Sequence, residues 1–114
     1  MRRIGSPILN TQVSTLTSHS QMLIGLLQLE LRIAGSHSLK DKRQVLQSTI
    51  EQLRRRFNVS VAEVGHQDAW QAATLGIAIV ANERRFLDEV LSKVEAFVES
   101  DPRIEVVGTE TEIL

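Results

Sequence analysis

The chain contains no cysteine and no tyrosine. The first absence excludes disulfide scaffolds, thiol nucleophiles and thiolate metal sites together. Aromatic residues are scarce at 4%, and tryptophan occurs once. Two prolines and six glycines exclude collagen-like and wholly disordered chains. Charge of neither sign dominates: thirteen basic and fourteen acidic side chains give -1, too balanced to announce a nucleic-acid or membrane binder. No run approaches the ~18–20 apolar residues that span a bilayer. The apolar run Met22–Leu27 passes straight into Gln28 and Glu30, which also argues against a secretory signal. What remains is a chain 42% hydrophobic and 24% charged, ordinary for a soluble protein and expected in the cytoplasm. At 114 residues it suits one domain, since two would each fall below the size at which a core closes comfortably.

Residues 1–21 differ from the rest. Seven are Ser or Thr, Arg2 and Arg3 are basic, and no acid precedes Glu30. An organellar transit peptide has this composition. Two adjacent arginines make no basic helical stripe, however, so the preferred reading is an unstructured or extraneous extension with Met22 as the functional start. The domain is then expected over residues 22–114.

From Leu27 to Ile33 apolar residues alternate with Gln28, Glu30 and Arg32, the period of a strand with one covered and one open face. Ser38 followed by Asp41 reads as a helix start, with a hydroxyl capping the free amides and a carboxylate at the positive end of the dipole. A helical stripe follows through Leu39, Lys42, Val45/Leu46, Thr49/Ile50, Leu53 and Phe57. Lys42 interrupts it; the expectation is an aliphatic stem along the core edge and an ammonium in water. Val59–Val64 is a short β-branched strand, Gly65-His66-Gln67-Asp68 is turn chemistry, and Ala73, Leu75, Ile77 and Ile79 alternate in a third strand. Asn82 is expected to cap a second helix, ended by Pro102, and residues 104–113 form a last strand with a bulge at Gly108. The order β-α-β-β-α-β, with right-handed crossovers, predicts an α+β ferredoxin-like sandwich: a four-stranded antiparallel sheet of order 4-1-3-2 with both helices on one face.

Ser38-Leu39-Lys40-Asp41-Lys42-Arg43, the run Phe57-Asn58-Val59-Ser60-Val61-Ala62-Glu63-Val64, and Asp68, Trp70 and Ala73-Thr74-Leu75-Gly76 resemble the YlxP-like family of small bacterial proteins. The resemblance covers Met22 to Leu114 and leaves residues 1–21 outside the family pattern. It implies a ferredoxin-like fold and no secure activity, since the family is catalogued as a domain of unknown function. Its members often lie in gene clusters with translation and ribosome-maturation factors, an association rather than a mechanism.

Enzyme chemistry finds little purchase. No His-Glu-x-x-His, Gly-rich phosphate cradle or nucleophile elbow is present. The best cluster is Glu63, His66, Asp68 and Trp70 in the hairpin loop, where Asp68 would orient a His66 base. The plainer reading is that Asp68 caps the turn and Trp70 closes the open end of the core. A metal on Glu63, His66 and Asp68 lacks a fourth ligand, so no catalytic residue, metal or cofactor is expected. Charge is more informative. Residues 39–57 carry six bases against two acids, a net +4, while residues 83–114 carry nine acids against four bases, a net -5. Lys40, Lys42, Arg43, Arg54 and Arg55 are therefore candidates for contact with RNA, the ribosome or an acidic surface, with Arg56 turned toward the sheet edge; a merely solvated face is the competing account. Bases are not expected to stack on the sheet, because Gln28, Glu30, Arg32, Thr74, Gly76 and Ala78 present no ring. That flat open face suits a homo-oligomer, a dimer in its simplest form. The expectation is a non-enzymatic interaction module. The rivals are a small enzyme or ligand-sensing domain centred on the loop, and an effector sensor working through a dimer cleft.

Overall fold

The computed structural model describes residues 21–114. The extension expected over residues 1–21, His19 included, lies outside the described residues apart from Gln21. The elements are β1 (Leu23–Arg32), α1 (Leu39–Arg56), β2 (Ser60–Gly65), β3 (Ala72–Ala81), α2 (Arg84–Glu99) and β4 (Glu105–Ile113). The sheet is antiparallel with spatial order β2-β3-β1-β4, which is the expected order read from the opposite edge. The ferredoxin-like α+β fold therefore stands. Alternation decides which face is covered: Leu27, Leu29, Leu31 and Ile33 of the first strand segment and Ala73, Leu75, Ile77 and Ile79 of β3 are all buried. They meet Leu87, Leu91, Val94 and Val98 of α2, four apolar side chains one helical stripe apart.

The first helix is anchored differently. Its buried positions are Lys42, Leu46, Thr49 and Leu53, so only two of them are large apolar groups, with Val45 and Ile50 packed half-buried beside them. Ser38 caps it as expected, its hydroxyl accepting from the Asp41 amide at 3.0 Å, while Asp41 Oδ2 accepts from the His37 amide at 3.1 Å. At the other end Arg56 lies over the Phe97 ring, 4.5 Å from its centre, and so joins the two helices rather than reaching the sheet edge. It is Arg54 that takes the edge: its Nη2 donates to the Val61 carbonyl of β2 at 2.9 Å. Arg54 takes the place expected of Arg56 because it falls on the β2 side of α1.

Two details of chain entry also differ from expectation. The N-cap of α2 is Glu83, not Asn82: Glu83 is extended and its carbonyl accepts the first helical bond, from the Leu87 amide. The turn before β4 is fastened by Asp101, which accepts from the Arg103 amide, Nε and Nη2 at 2.9, 3.0 and 2.7 Å. This hydrogen-bonded guanidinium holds the Asp101 carboxyl below its ordinary 3.8. The bulge in β4 falls where Gly108 predicts it. Glu30 pairs with Gly108 and Leu31 with Val106, leaving Val107 as the extra residue. Glycine suits the position, since a Cβ would stand a tight 3.3 Å from Cβ and Cγ of Glu30.

Candidate nucleic-acid interface

Lys42 has no exposed surface, although it is charged. Its Nζ donates to Glu63 Oε2 at 3.0 Å and to the carbonyls of His66, Ala72 and Gln67 at 2.9, 3.2 and 3.4 Å. The expectation of an ammonium in water is thus corrected, and with it the candidacy of Lys42 as a phosphate contact. The physical reason is geometric. The stem follows the buried stripe inward, and at its tip the hairpin turn offers several carbonyls that no strand satisfies. Lys42 is in effect the closing bolt between α1 and the β2–β3 loop.

That loop does not assemble the proposed acid–imidazole pair. His66 occupies the left-handed region at φ 58, and its Nε2 lies 3.8 Å from Glu30 Oε1 on the open face, not beside Asp68. Asp68 is exposed, and Glu63 is committed to Lys42. The loop cluster Glu63, His66, Asp68 and Trp70 therefore points in several directions, with Glu63 on the helix side of the sheet and His66 on the other. Trp70 does not close the core either: it is 56% exposed. The end of the core is closed instead by Lys42 and by Gln71, whose Nε2 donates to the carbonyls of Ala34 and Ser36 at 3.1 and 3.0 Å.

The remaining cations behave as the charge count suggests. Lys40, Arg43, Arg54 and Arg55 are exposed. Arg43 and Arg54 are about three helical turns apart and so share a stripe of α1. Together with Leu46, Gln47, Ile50, Glu51 and the β2 residues Val61, Ala62 and Glu63 they line an open groove of about 540 Å³, in which Glu63 is taken by Lys42. Among the described residues, no carboxylate pairs with Lys40, Arg43 or Arg55. The acids lie elsewhere: α1 packs over β2, whereas α2 packs over β1, β3 and β4, and Glu105, Glu110 and Glu112 belong to the opposite edge strand. One edge of the molecule is accordingly basic and the other acidic.

The open face of the sheet carries a small polar network. Thr74 Oγ1 donates to Glu30 Oε1 at 2.6 Å and Gln28 Nε2 donates to Glu30 Oε2 at 3.2 Å. Toward β2 the face turns apolar, with a shallow depression of about 300 Å³ lined by Leu26, Gln28, Ala62, Val64, Gly76 and Ala78. Val64 is thrust up there by a second irregularity, between Glu63 and Gly65, that the sequence did not announce.

Residues 24–111 match the family described as "Protein of unknown function (DUF503)". The chain is 41% identical over 90 residues to "Uncharacterized protein YlxP" of Bacillus subtilis (strain 168), covering 79% of this chain and 98% of the relative. Among solved structures it is similar to the de novo designed proteins Foldit4 and Ferredog-Diesel. The TM-scores are 0.49 and 0.40, at 10% and 8% identity, over 82% and 80% of this chain and 96% and 83% of theirs. No helix among the described residues is long and apolar enough to cross a membrane. By the family match and by this identity over nearly the whole relative, the chain belongs to this YlxP-like family of unknown function.

Proposed function

We propose that this protein is a non-enzymatic interaction module, acting in the cytoplasm, whose first helix contacts the phosphate backbone of RNA, free or in the ribosome. The observation that supports this most is the state of Lys40, Arg43 and Arg55. They are exposed on α1 and unengaged by carboxylates of the described residues, on the edge of the molecule opposite the acidic strand β4. A merely solvated face would tend to interleave or pair its charges; here only Asp41 and Glu51 stand on the same helix. Phosphate contacts need exposed cations in a row more than they need a pocket, and each neutralised phosphate adds a salt-dependent increment of affinity. Titration of a labelled structured RNA, followed by anisotropy at low salt, tests the reading. The double replacement Arg43→Glu and Arg55→Glu is expected to weaken binding at least tenfold with an unchanged melting temperature, since both side chains are exposed. Equal affinity of variant and native protein would sink the proposal. Arg54 is deliberately spared, because its bond to Val61 makes it part of the fold.

Self-association is a second reading, favoured by the apolar depression on the open face and by Val64 and Val80, which are 55% and 62% exposed. Two copies would pack these flat sheets against each other. Sedimentation equilibrium is expected to give twice the chain mass for the native protein and the single mass for Ala78→Glu; a single mass for both excludes the dimer.

A further inference from the structure

The loop between β2 and β3 is held from both sides, yet it turns its one large ring to water. Lys42 fixes the carbonyls of His66, Gln67 and Ala72. Gln71 fastens the loop to residues 34 and 36 through its side chain, and its carbonyl accepts from the Ile33 amide at 2.9 Å. Trp70 stands between these anchors, 56% exposed. A large apolar plane on backbone that folding has already ordered loses little further freedom when a ligand covers it, which is how tryptophan serves binding sites.

The surroundings of the ring indicate the ligand. An open groove of about 380 Å³ is lined by both chain neighbours of Trp70, Ala69 and Gln71, together with Leu31, Arg32, Ala72 and Val107. Val107 is 58% exposed because the β4 bulge leaves it unpaired. Arg32 is exposed at the end of β1, opposite Glu105 of β4 in the ladder, and forms no ion pair among the described residues. The other shoulder of the loop is bonded to the first turns of α1, where Lys40 and Arg43 begin the cation row. The exposed indole thus stands on the loop between Arg32, at the end of β1, and the first turns of α1, with Asp68 as the charge of the loop itself.

We infer that Trp70 is a stacking platform for an unpaired nucleobase, with Arg32 meeting the adjoining phosphate, so that the ligand of the α1 cations is single-stranded nucleic acid. This rests on the nucleic-acid reading of α1 and adds the strandedness of the ligand. A duplex keeps its base faces stacked inside and offers the indole nothing, whereas a single strand exposes a π-face at every base. An acidic peptide would satisfy the cations, but its carboxylates are repelled by the negative face of the ring. With one ring, the site discriminates little between bases.

The full chain supplies its own reporter, because Trp70 is its only tryptophan. Titration with single-stranded oligoadenylate is expected to quench Trp70 emission to saturation. A blunt RNA duplex of the same length, or polyglutamate, leaves the emission unchanged. Trp70→Ala is expected to weaken oligoadenylate binding, followed by anisotropy, about tenfold, with duplex binding and melting temperature unaltered, and Trp70→Phe to restore most of the loss. Saturating oligoadenylate without quenching, undiminished affinity in Trp70→Ala, or equal quenching by polyglutamate would each overturn the stacking role. If Arg43→Glu with Arg55→Glu abolishes binding while Trp70→Ala does not alter it, the α1 reading survives and the platform falls. If no RNA binds, both fall.

Discussion

Replacing Lys42 by Met is expected to lower the unfolding free energy by about 3 kcal/mol. The side chain keeps its length and apolar stem, so no cavity arises to confuse the result. What disappears is the ammonium, which leaves the carbonyls of Gln67 and Ala72 without this donor, that of His66 with only the Ala69 amide, and Glu63 without its counter-ion. Removing one partner of a buried ion pair costs roughly 3–5 kcal/mol. The low end applies because the Glu63 side chain is 20% exposed and can turn partly to water. For a domain of this size the melting temperature should fall by roughly 12–20 °C. Thermal unfolding by circular dichroism measures this directly. A loss below about 1 kcal/mol would mean that the pair's desolvation had nearly cancelled its attraction, as happens for some buried pairs. In that case Lys42 is not the closing bolt described above. Emission from Trp70 adds a local readout, since a loop freed from Lys42 should change the environment of its ring before the sheet unfolds.

Leu53→Ala is expected to cost a comparable amount, about 3 kcal/mol, for a different reason. Leu53 is fully buried, and truncating a leucine in a close-packed core loses transfer energy and leaves a cavity. Leu46 is the only other fully buried large apolar residue of α1, and Val45 and Ile50 are half-buried, so little apolar surface is left to hold the helix. The lesion should also spread. Arg54 and Arg56 flank the site, and their bonds to the Val61 carbonyl and the Phe97 ring depend on the last turns of α1 lying flat. Native-state hydrogen exchange should therefore show the segment from Leu53 to Phe57 opening well before β1 and β3. Uniform protection along α1, or a loss under about 1 kcal/mol, would contradict the view that Leu53 carries this end of the helix.

These two residues also show where the sequence was a sufficient guide. Leu53 lies on a regular stripe, and period alone places it in the core. The same holds for the alternating leucines of β1 and the branched residues of β3, so element order, sheet order and covered face were all legible. Lys42 lies on the same stripe, yet its fate was misread. Period says that a side chain points inward; it does not say whether acceptors wait there. Those acceptors are backbone carbonyls of a turn more than twenty residues downstream, and nothing in residue type announces an unsatisfied carbonyl. Trp70 failed in the opposite sense. Hydrophobicity suggested a plug, but Lys42 and Gln71 had already closed that end of the core, so the indole had no interior to enter. That Arg54 rather than Arg56 reaches the sheet edge has a similar origin: helical residues two apart point about 200° apart, and which one reaches β2 depends on how the helix is rolled on the sheet. The exposure of Lys40, Arg43 and Arg55 was legible because they lie off the apolar stripe, whereas Lys42 on the stripe and Arg54 beside β2 were drawn into the fold.

The account depends most on those exposed cations meeting phosphates, and the salt dependence of RNA binding reads this directly. Anisotropy titrations across a range of monovalent salt are expected to give log affinity falling linearly with log concentration. The expected slope is about -0.7 per phosphate contacted on a single strand, hence roughly -2 for three cations. The variant carrying Lys40→Glu, Arg43→Glu and Arg55→Glu should give a nearly flat and much weaker line. A native protein whose affinity ignores salt, or a triple variant with the native slope, would contradict the claim that α1 binds a nucleic-acid backbone.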